Sequence, residues 1–130
     1  MTHVRYGAIS VLLVASLHAQ VERATVTGTV TDQTGAVVPG ASVVVHNQET
    51  GVEQKSQTNP DGHYTVPYLH PGSYAVVVQK DGFSRARVTG VNLTVGLVAT
   101  VDVQLSLGTV QNEVRVEAAA VQLEQQSASL

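Results

Sequence analysis

The chain has 130 residues and a formal net charge of −3, with 26 valines, 13 threonines, one isoleucine and neither cysteine nor tryptophan. This length suits one domain, and the lack of cysteine excludes disulfides and thiolate metal sites. No basic cluster is present that could neutralise a row of phosphates, so we expect no nucleic-acid partner. Valine and threonine pack well on pleated surfaces, and their abundance predicts strands rather than helices.

The first segment, residues 1–19, is predicted to be a secretory signal peptide. Arg5 precedes an apolar run over residues 8–17, and Ala19 offers a small residue for cleavage. The apolar run is too short for a membrane-spanning helix, which needs about 20 residues. A buried N-terminal helix is the alternative interpretation. We therefore expect an exported protein. Its net charge should be about one unit more negative after cleavage, because Arg5 is removed with the signal peptide.

Short segments of alternating apolar and polar residues follow, with turn residues between them. They cover residues 24–32, 41–47, 52–58, 63–66, 73–80 and 97–107, with a further alternation over residues 91–95. In the first segment Val26, Gly28 and Val30 alternate with threonines, which is the period of a strand with one wet face. About seven short strands with regularly spaced turns predict an all-β, two-sheet sandwich.

Particular residues refine this prediction. The Asn-Pro-Asp-Gly sequence at residues 59–62 is typical of a tight turn. The hairpin that follows should direct Tyr64 and Val66 inward. Phe83, Arg85 and Arg87 would share one face of any strand, which predicts an exposed or irregular segment.

The composition changes after Gly108. Residues 113–117, Glu-Val-Arg-Val-Glu, could form one more strand, whereas residues 118–130 are small and polar without turn signals. We interpret residues 20–108 as the sandwich domain and residues 109–130 as a linker or tail.

No pattern typical of catalysis is found. The histidines at 46, 63 and 70 lack a partner at metal-ligand spacing, and the aspartates at 32, 61 and 81 sit in or beside glycine-containing turns, where they bond local backbone. No serine lies in a Gly-x-Ser-x-Gly setting. We therefore expect no catalytic residue, no cofactor and no metal site.

Aromatic rings are the remaining candidates for ligand binding, because sugars stack on flat rings. Tyr64 and Tyr74 fit the predicted core alternation, which leaves Tyr68 and Phe83 as candidate binding platforms. The alternative for both is ordinary packing in the core or in a hairpin.

The ordered motifs are similar to those of carboxypeptidase regulatory-like domains. They are Val-Thr-Gly-Thr-Val-Thr-Asp at residues 26–32, Gly-Ala-Val-Val-Pro-Gly-Ala at 35–41, Asp-Gly-His-Tyr at 61–64, Leu-His-Pro-Gly-Ser-Tyr at 69–74 and Gly-Phe at 82–83. The resemblance covers about residues 25–107, and its one departure is His70 where a proline is usual. It implies a seven-stranded antiparallel Greek-key sandwich of the transthyretin (prealbumin) type. The peptidase's His-x-x-Glu zinc motif is missing, so the resemblance implies no peptidase activity.

The order of signal, domain and tail resembles the N-terminal extension of TonB-dependent outer-membrane receptors. This resemblance implies a location in the periplasm or at the outer membrane, and a partner that is another protein or the receptor's own plug and barrel. Carbohydrate binding is the second hypothesis, since starch-binding modules share a similar sandwich. A hydrolase of the transthyretin-related type is third, and the C-terminal residues 127–130, Ser-Ala-Ser-Leu, lack the tail that it requires.

Overall fold

A computed structural model describes Thr2, residues 23–108 and residues 113–117. The predicted signal peptide, apart from Thr2, lies outside these residues, as do most of the predicted tail residues. In the described parts the chain forms nine strands, β1–β9. Their bounds are β1 Ala24–Asp32, β2 Ser42–Asn47, β3 Glu53–Gln57, β4 His63–Leu69, β5 Gly72–Gln79, β6 Arg85–Leu93, β7 Val98–Thr100, β8 Val103–Leu105 and β9 Glu113–Glu117. Among the described residues we find no helix long and apolar enough to cross a membrane.

The strands form two sheets, which confirms the predicted all-β sandwich. One sheet has the order β4-β1-β7, with β8 also pairing with β1, and the other has the order β3-β2-β5-β6-β9. β7 and β8 both run parallel to β1, and β9 runs parallel to β6. The other strand pairs are antiparallel, so each sheet is mixed rather than wholly antiparallel.

The core is built from the alternation that the sequence predicts. Side chains at every second position of β1 and β2 are buried, and Tyr64 and Val66 of β4 point inward as expected. The buried set is dominated by valine: Val26, Val30, Val43, Val45, Val76, Val78, Val91 and Val101 are each fully buried. Each such side chain contributes about 1.5–3 kcal/mol before the entropy of ordering is subtracted.

The expectation of an irregular segment at Arg85 and Arg87 is wrong. β6 runs without interruption from Arg85 to Leu93 and carries Ala86 and Val88 on its buried face. The two arginines lie on the outer face, and the strand alternates regularly as far as Val88. A register shift opposite Tyr74 and Val76 follows, where Gly90 has a φ of +71°. Phe83 lies before β6 and packs against the core from the preceding turn.

The long strand predicted over residues 97–107 is divided in two. Leu97, Ala99, Val101, Val103 and Leu105 are buried as the alternation predicts, whereas Leu107 is exposed. Pairing with β1 stops after Thr100 and resumes at Val103. Three bonds close this gap: Val101 N–H donates to Thr27 O at 2.7 Å, Thr29 N–H donates to Asp102 Oδ1 at 2.8 Å, and the Tyr64 hydroxyl donates to Val101 O.

Gly28 is the residue of β1 that faces this gap. A Cβ atom at Gly28 would overlap the carbonyl oxygen of Val101 and would lie 3.0 Å from the ring of Tyr64. Glycine is therefore required here by the close approach of two backbones and not by an unusual backbone conformation. We refer to Gly28, Tyr64, Val101 and Asp102 as the β1 junction.

Candidate ligand-binding site at the end of strand 4

The exposed ring of Tyr68 lies on a β-bulge. Ala24 of β1 pairs with Leu69, but Val26 pairs with Val66, so β4 carries one residue more than β1 between these two pairs. The extra residue lets both Val66 and Leu69 point into the core, while Pro67 and Tyr68 both face outward. Pro67 has no N–H to donate to the ladder, which suits it to such an irregularity.

Tyr68 adopts a conformation that side chains rarely tolerate. Its φ is +62°, and it is the one residue other than glycine with positive φ among the described residues. The left-handed region costs an L-residue about 1–2 kcal/mol. Its side chain is 71% exposed, so burial of the ring does not compensate this cost. Strain at an exposed aromatic residue is a pointer to function.

Arg23 fixes the backbone of this segment. Its Nη1 donates to the carbonyl oxygen of Tyr68 at 3.1 Å and lies 3.4 Å from Nε2 of His70. The guanidinium therefore bridges the two residues that flank Leu69. An open concavity of about 590 Å³ is lined by Arg23, Thr25, Pro67 and Tyr68. It combines a flat ring, a cation with unused N–H donors and a hydroxyl group, which suits a polar ligand with one flat face.

A smaller concavity of about 190 Å³ lies on the other side of the same turn. It is lined by Asn47, Glu49, Thr50, Val52, Gln54, Leu69, His70, Pro71 and Tyr74. The Tyr74 hydroxyl donates to His70 O at 2.7 Å, and the Asn47 side-chain oxygen accepts from the N–H groups of Glu49 and Thr50 at 2.9 and 3.0 Å. The first of these bonds holds the turn between β4 and β5, and the other two hold the turn between β2 and β3.

Phe83, the second predicted platform, is far from Tyr68. Tyr68 adjoins the pair of Leu69 with Ala24 at the start of β1. Phe83 bridges to Leu107, two residues past the pair of Leu105 with Asp32 at the end of β1. β1 has nine residues and is therefore roughly 26 Å long, so the two rings lie at opposite ends of the sandwich. Phe83 is also half-buried against the core, and the two rings cannot form one platform.

The three histidines are on separate surfaces. His46 Nδ1 lies 3.3 Å from Glu53 Oε1 on one sheet, and His63 Nδ1 lies 2.8 Å from Thr29 Oγ1 on the other. His70 is in the turn beside Arg23. Within residues 23–108 and 113–117, no three His, Asp or Glu side chains converge as a metal site would require.

Of the three turn aspartates, Asp32 is shown to bond the local backbone as predicted, whereas in the turn at residues 59–62 Asn59 does so. The Asp32 carboxylate accepts from Thr34 Oγ1 at 2.6 Å and from the N–H groups of Thr34 and Ala36 at 2.8 and 3.1 Å. These bonds, led by that from the Thr34 hydroxyl, lower the pKa of Asp32. In the predicted turn at residues 59–62, Asn59 Oδ1 accepts from the N–H groups of Asp61 and His63, both at 3.0 Å.

Tyr68 and its bulge could not be fully predicted from the sequence. The sequence identified Tyr68 as an aromatic residue outside the core alternation. It did not identify Arg23, which precedes the first strand and acts through Tyr68 O and His70. The available signal was Pro67, since proline within a strand indicates an edge or a bulge.

A comparison with protein families matches residues 25–106 to the carboxypeptidase regulatory-like domain. The match covers more than half of the chain and contains β1–β8. The chain belongs to the carboxypeptidase regulatory-like domain family. This membership confirms the resemblance inferred from the ordered motifs. A comparison with curated proteins gives no match.

Solved structures that resemble this carboxypeptidase regulatory-like domain come from proteins of different activities. Hydroxyquinol 1,2-dioxygenase from Pseudomonas putida superposes with a TM-score of 0.53 at 10% identity, over 67% of this chain and 57% of the enzyme chain. A Bacteroides uniformis protein provisionally described as carbohydrate binding has a TM-score of 0.52 at 22% identity, over 63% and 40% of the two chains. A type II cohesin–X–dockerin complex from Acetivibrio cellulolyticus gives 0.54 at 18% identity, over 65% and 58%.

These likenesses establish the fold of the carboxypeptidase regulatory-like domain and nothing further about its chemistry. The chain spans less than two thirds of each of these three proteins. One sandwich serves an oxygenase, a carbohydrate-binding protein and a cohesin–dockerin assembly, so fold alone does not choose among them.

Proposed function

We propose that the chain is an exported, non-catalytic interaction module and the N-terminal part of a TonB-dependent outer-membrane receptor. The observation that carries this proposal is the order of its segments. A predicted signal peptide at residues 1–19 precedes the carboxypeptidase regulatory-like domain at 25–106, and the predicted tail follows. In this role the domain would work in the periplasm and would bind another protein, or the plug and barrel of its own receptor.

The placement of the reactive side chains supports a binding role over a catalytic one. Thr29 lies between His63 and Asp102. Its Oγ1 contacts the imidazole ring of His63, and its N–H donates to Asp102 Oδ1. Asp32 is engaged by its own turn. A catalytic base needs a third group that orients it. His63 contacts the Thr29 hydroxyl, but the Asp102 carboxylate accepts from Thr29 N–H and that of Asp32 from its own turn.

The gene sequence downstream of the codon for Leu130 tests the receptor origin. We expect the reading frame to continue into a plug domain and a barrel. An immediate stop codon, with no plug or barrel sequence nearby, would contradict this origin while leaving the module itself intact. N-terminal sequencing of the protein from a periplasmic fraction tests export, for which we expect a mature start near Gln20.

Carbohydrate binding is the second candidate function, and the exposed, strained ring of Tyr68 beside Arg23 is the observation that favours it. The ring would stack on a sugar face, and the guanidinium would donate to sugar hydroxyls or to a carboxylate. Phe83 would serve only as a separate platform at the other end of the sandwich.

Affinity electrophoresis in polysaccharide gels tests this candidate. Tyr68→Ala should abolish retardation, and Tyr68→Phe should preserve it because the ring remains. Phe83→Ala separates the two platforms, and its folding must be checked because Phe83 packs on the core. Retardation that Tyr68→Ala leaves unchanged would remove Tyr68 from the binding role.

A further inference from the structure

The outer face of the five-stranded sheet carries a row of residues that crosses every strand. Starting from β3, Lys55 pairs with Val44, Val44 with Val77, Val77 with Arg87, and Arg87 with Arg115. Strands lie about 4.8 Å apart, so this row is roughly 19 Å long. We call it the cationic row.

The guanidinium groups on this face have N–H donors that no described residue accepts from. Arg87 and Arg115 share one carboxylate, and the Nε atoms of both lie 3.9 Å from Glu113 Oε1. Arg85, one step along β6, donates from Nη2 to Gln79 Oε1 at 3.1 Å, whereas its buried Nε has no hydrogen-bond partner among the described residues. Each guanidinium has five N–H donors, and the Nη atoms of Arg87 and Arg115 have no partner among the described residues.

The centre of the face is apolar. Val44 and Val77 are half-buried and form the floor of a depression of about 300 Å³. Its walls are His46, Glu53, Lys55, Gln79, Arg85 and Arg87. Protein interfaces commonly have an apolar centre, a polar rim and an excess of arginine.

We propose that this face docks an extended acidic segment of a partner protein. The inference rests on the proposed binding role of the module and names the surface and the chemistry of its partner. Four cations share the face with two carboxylates, Glu53 and Glu113, within residues 23–108 and 113–116. Glu53 Oε1 lies 3.3 Å from His46 Nδ1, and Glu113 lies between the two arginines. The excess of cations over carboxylates on the face attracts an added carboxylate. Arginine binds carboxylates with two parallel hydrogen bonds.

The spacing of the row predicts the sequence of the segment. Lys55 and Arg87 are three strands apart, roughly 14 Å, and alternate residues of an extended chain are about 6.7 Å apart. Acidic residues at positions i and i+4 would therefore reach Lys55 and Arg87, with an apolar residue at i+2 over Val44 and Val77. The lining residues among the described part of the chain include no Tyr, Phe or Trp ring on which a sugar could stack, which favours a polypeptide over an acidic polysaccharide.

Titration of the mature chain with a synthetic peptide tests the proposal. The probe is a twelve-residue peptide with the repeat Glu-Ser-Val-Ser, and the control peptide has Lys in place of Glu. Isotope-labelled protein followed by NMR should show amide shifts on β2, β5 and β6 with the acidic peptide only. Shifts confined to the Tyr68 end of the molecule, or equal responses to both peptides, would overturn the proposal.

Charge-removing variants give the quantitative test. Arg87→Gln should weaken peptide binding at least about tenfold, the effect expected on losing a charge-assisted bond. Lys55→Gln changes an exposed residue of an edge strand and should weaken binding severalfold with unchanged folding. Lys80→Gln removes a cation outside the face and should change affinity less than about twofold.

Two further outcomes are decisive. Equal affinities of Arg87→Gln, Lys55→Gln and the unchanged protein for the acidic peptide would overturn the proposal. Tighter binding of hyaluronate than of the peptide at this face would also overturn it, since that would identify a polysaccharide site. Either result would leave the receptor origin untouched, because that rests on the downstream reading frame and on export.

Discussion

Gly28 and Tyr68 lie on neighbouring strands of one sheet and show opposite relations to the fold. At the β1 junction around Gly28 the backbones touch, the side chains of Tyr64 and Val101 are buried, and the polar groups at the gap are bonded. At Tyr68 the ring is exposed and the backbone is strained. The first region has the sequence that the sandwich requires. The second has a residue whose conformation the sandwich tolerates at a cost in strain, and this is the reason for proposing a binding role for it.

The comparison predicts the largest loss of stability for Gly28→Ala. The added Cβ would overlap Val101 O and push β1 away from the gap between β7 and β8, so we expect a loss of about 3 kcal/mol in the free energy of unfolding. Chemical denaturation measures it. Gly35→Ala is the matched control, since Gly35 has a positive φ and no atom near its added Cβ, and it should cost only about 1–2 kcal/mol. Equal losses for the two variants would show that the junction is not tightly packed.

Tyr64→Phe should give the next largest effect. It removes the hydroxyl that donates to Val101 O and leaves a buried carbonyl without that partner, at a cost of about 1–3 kcal/mol. A variant as stable as the unchanged protein would show that the hydroxyl bond contributes nothing to the junction.

The same hydroxyl gives a pH test. Burial, with the nearby charge of Asp102, raises the pKa of Tyr64 above its usual value of 10.0. A raised pKa in the folded state means that stability is complete below pH 10 and falls as the pH rises beyond it. Denaturation midpoints between pH 9 and 11 should fall less steeply in Tyr64→Phe than in the unchanged protein.

Tyr68→Gly should change stability in the opposite direction. Glycine accepts the left-handed conformation, and relief of about 1–2 kcal/mol of strain outweighs its greater freedom in the unfolded chain, so we expect a gain of about 0.5 kcal/mol. Thermal unfolding measures this gain in stability. The variant should also lose the binding of any ligand that stacks on the Tyr68 ring. A clear loss of stability would mean that the Tyr68 ring supports the fold.

Asp32 shares features of both regions, and its replacement should have the smallest effect. Its carboxylate is exposed yet satisfied by Thr34 and Ala36, and the lowered pKa of Asp32 means that its stabilisation is present above its unfolded pKa of 3.8 and is lost as pH falls through the lower folded value. Asp32→Asn should therefore flatten the decline of stability between about pH 4 and pH 2. An unchanged acid profile would show that the turn gains nothing from the charge.

The sequence predicted which faces are buried better than it predicted which strands pair. Period-two alternation correctly placed Val43 and Val45 inside, because burial acts on each residue locally. The parallel pairing of β1 with β7 and β8 joins residues about seventy positions apart, and no local pattern specifies such a partner. The prediction of an irregular segment at Arg85 and Arg87 is wrong because it considers the charged outer face alone. It leaves out the inward-facing Ala86 and Val88 that alternate with the two arginines.

One residue of the candidate site could be predicted from the sequence, whereas the geometry of the site could not. Tyr68 was identified as an aromatic residue left over from the core. The bulge arises from a mismatch in register between β1 and β4, which depends on both strands at once. From the sequence, Gly28 likewise looks like an ordinary inward-facing position, because the close approach of Val101 is seen only in the structure. Close approach between distant segments is the information that a single sequence leaves out.

The parallel course of β1 beside β7 and β8 has a mechanical consequence. Ala24 and Leu105 lie at opposite ends of this sheet, because β1 runs parallel to both β7 and β8. Tension applied along the chain through these points slides the strands past one another, so their hydrogen bonds are loaded together in shear. A hairpin pulled from its open end would instead unzip one bond at a time. The hydrogen bonds that join β1 to β7 and β8 would therefore resist such a pull together.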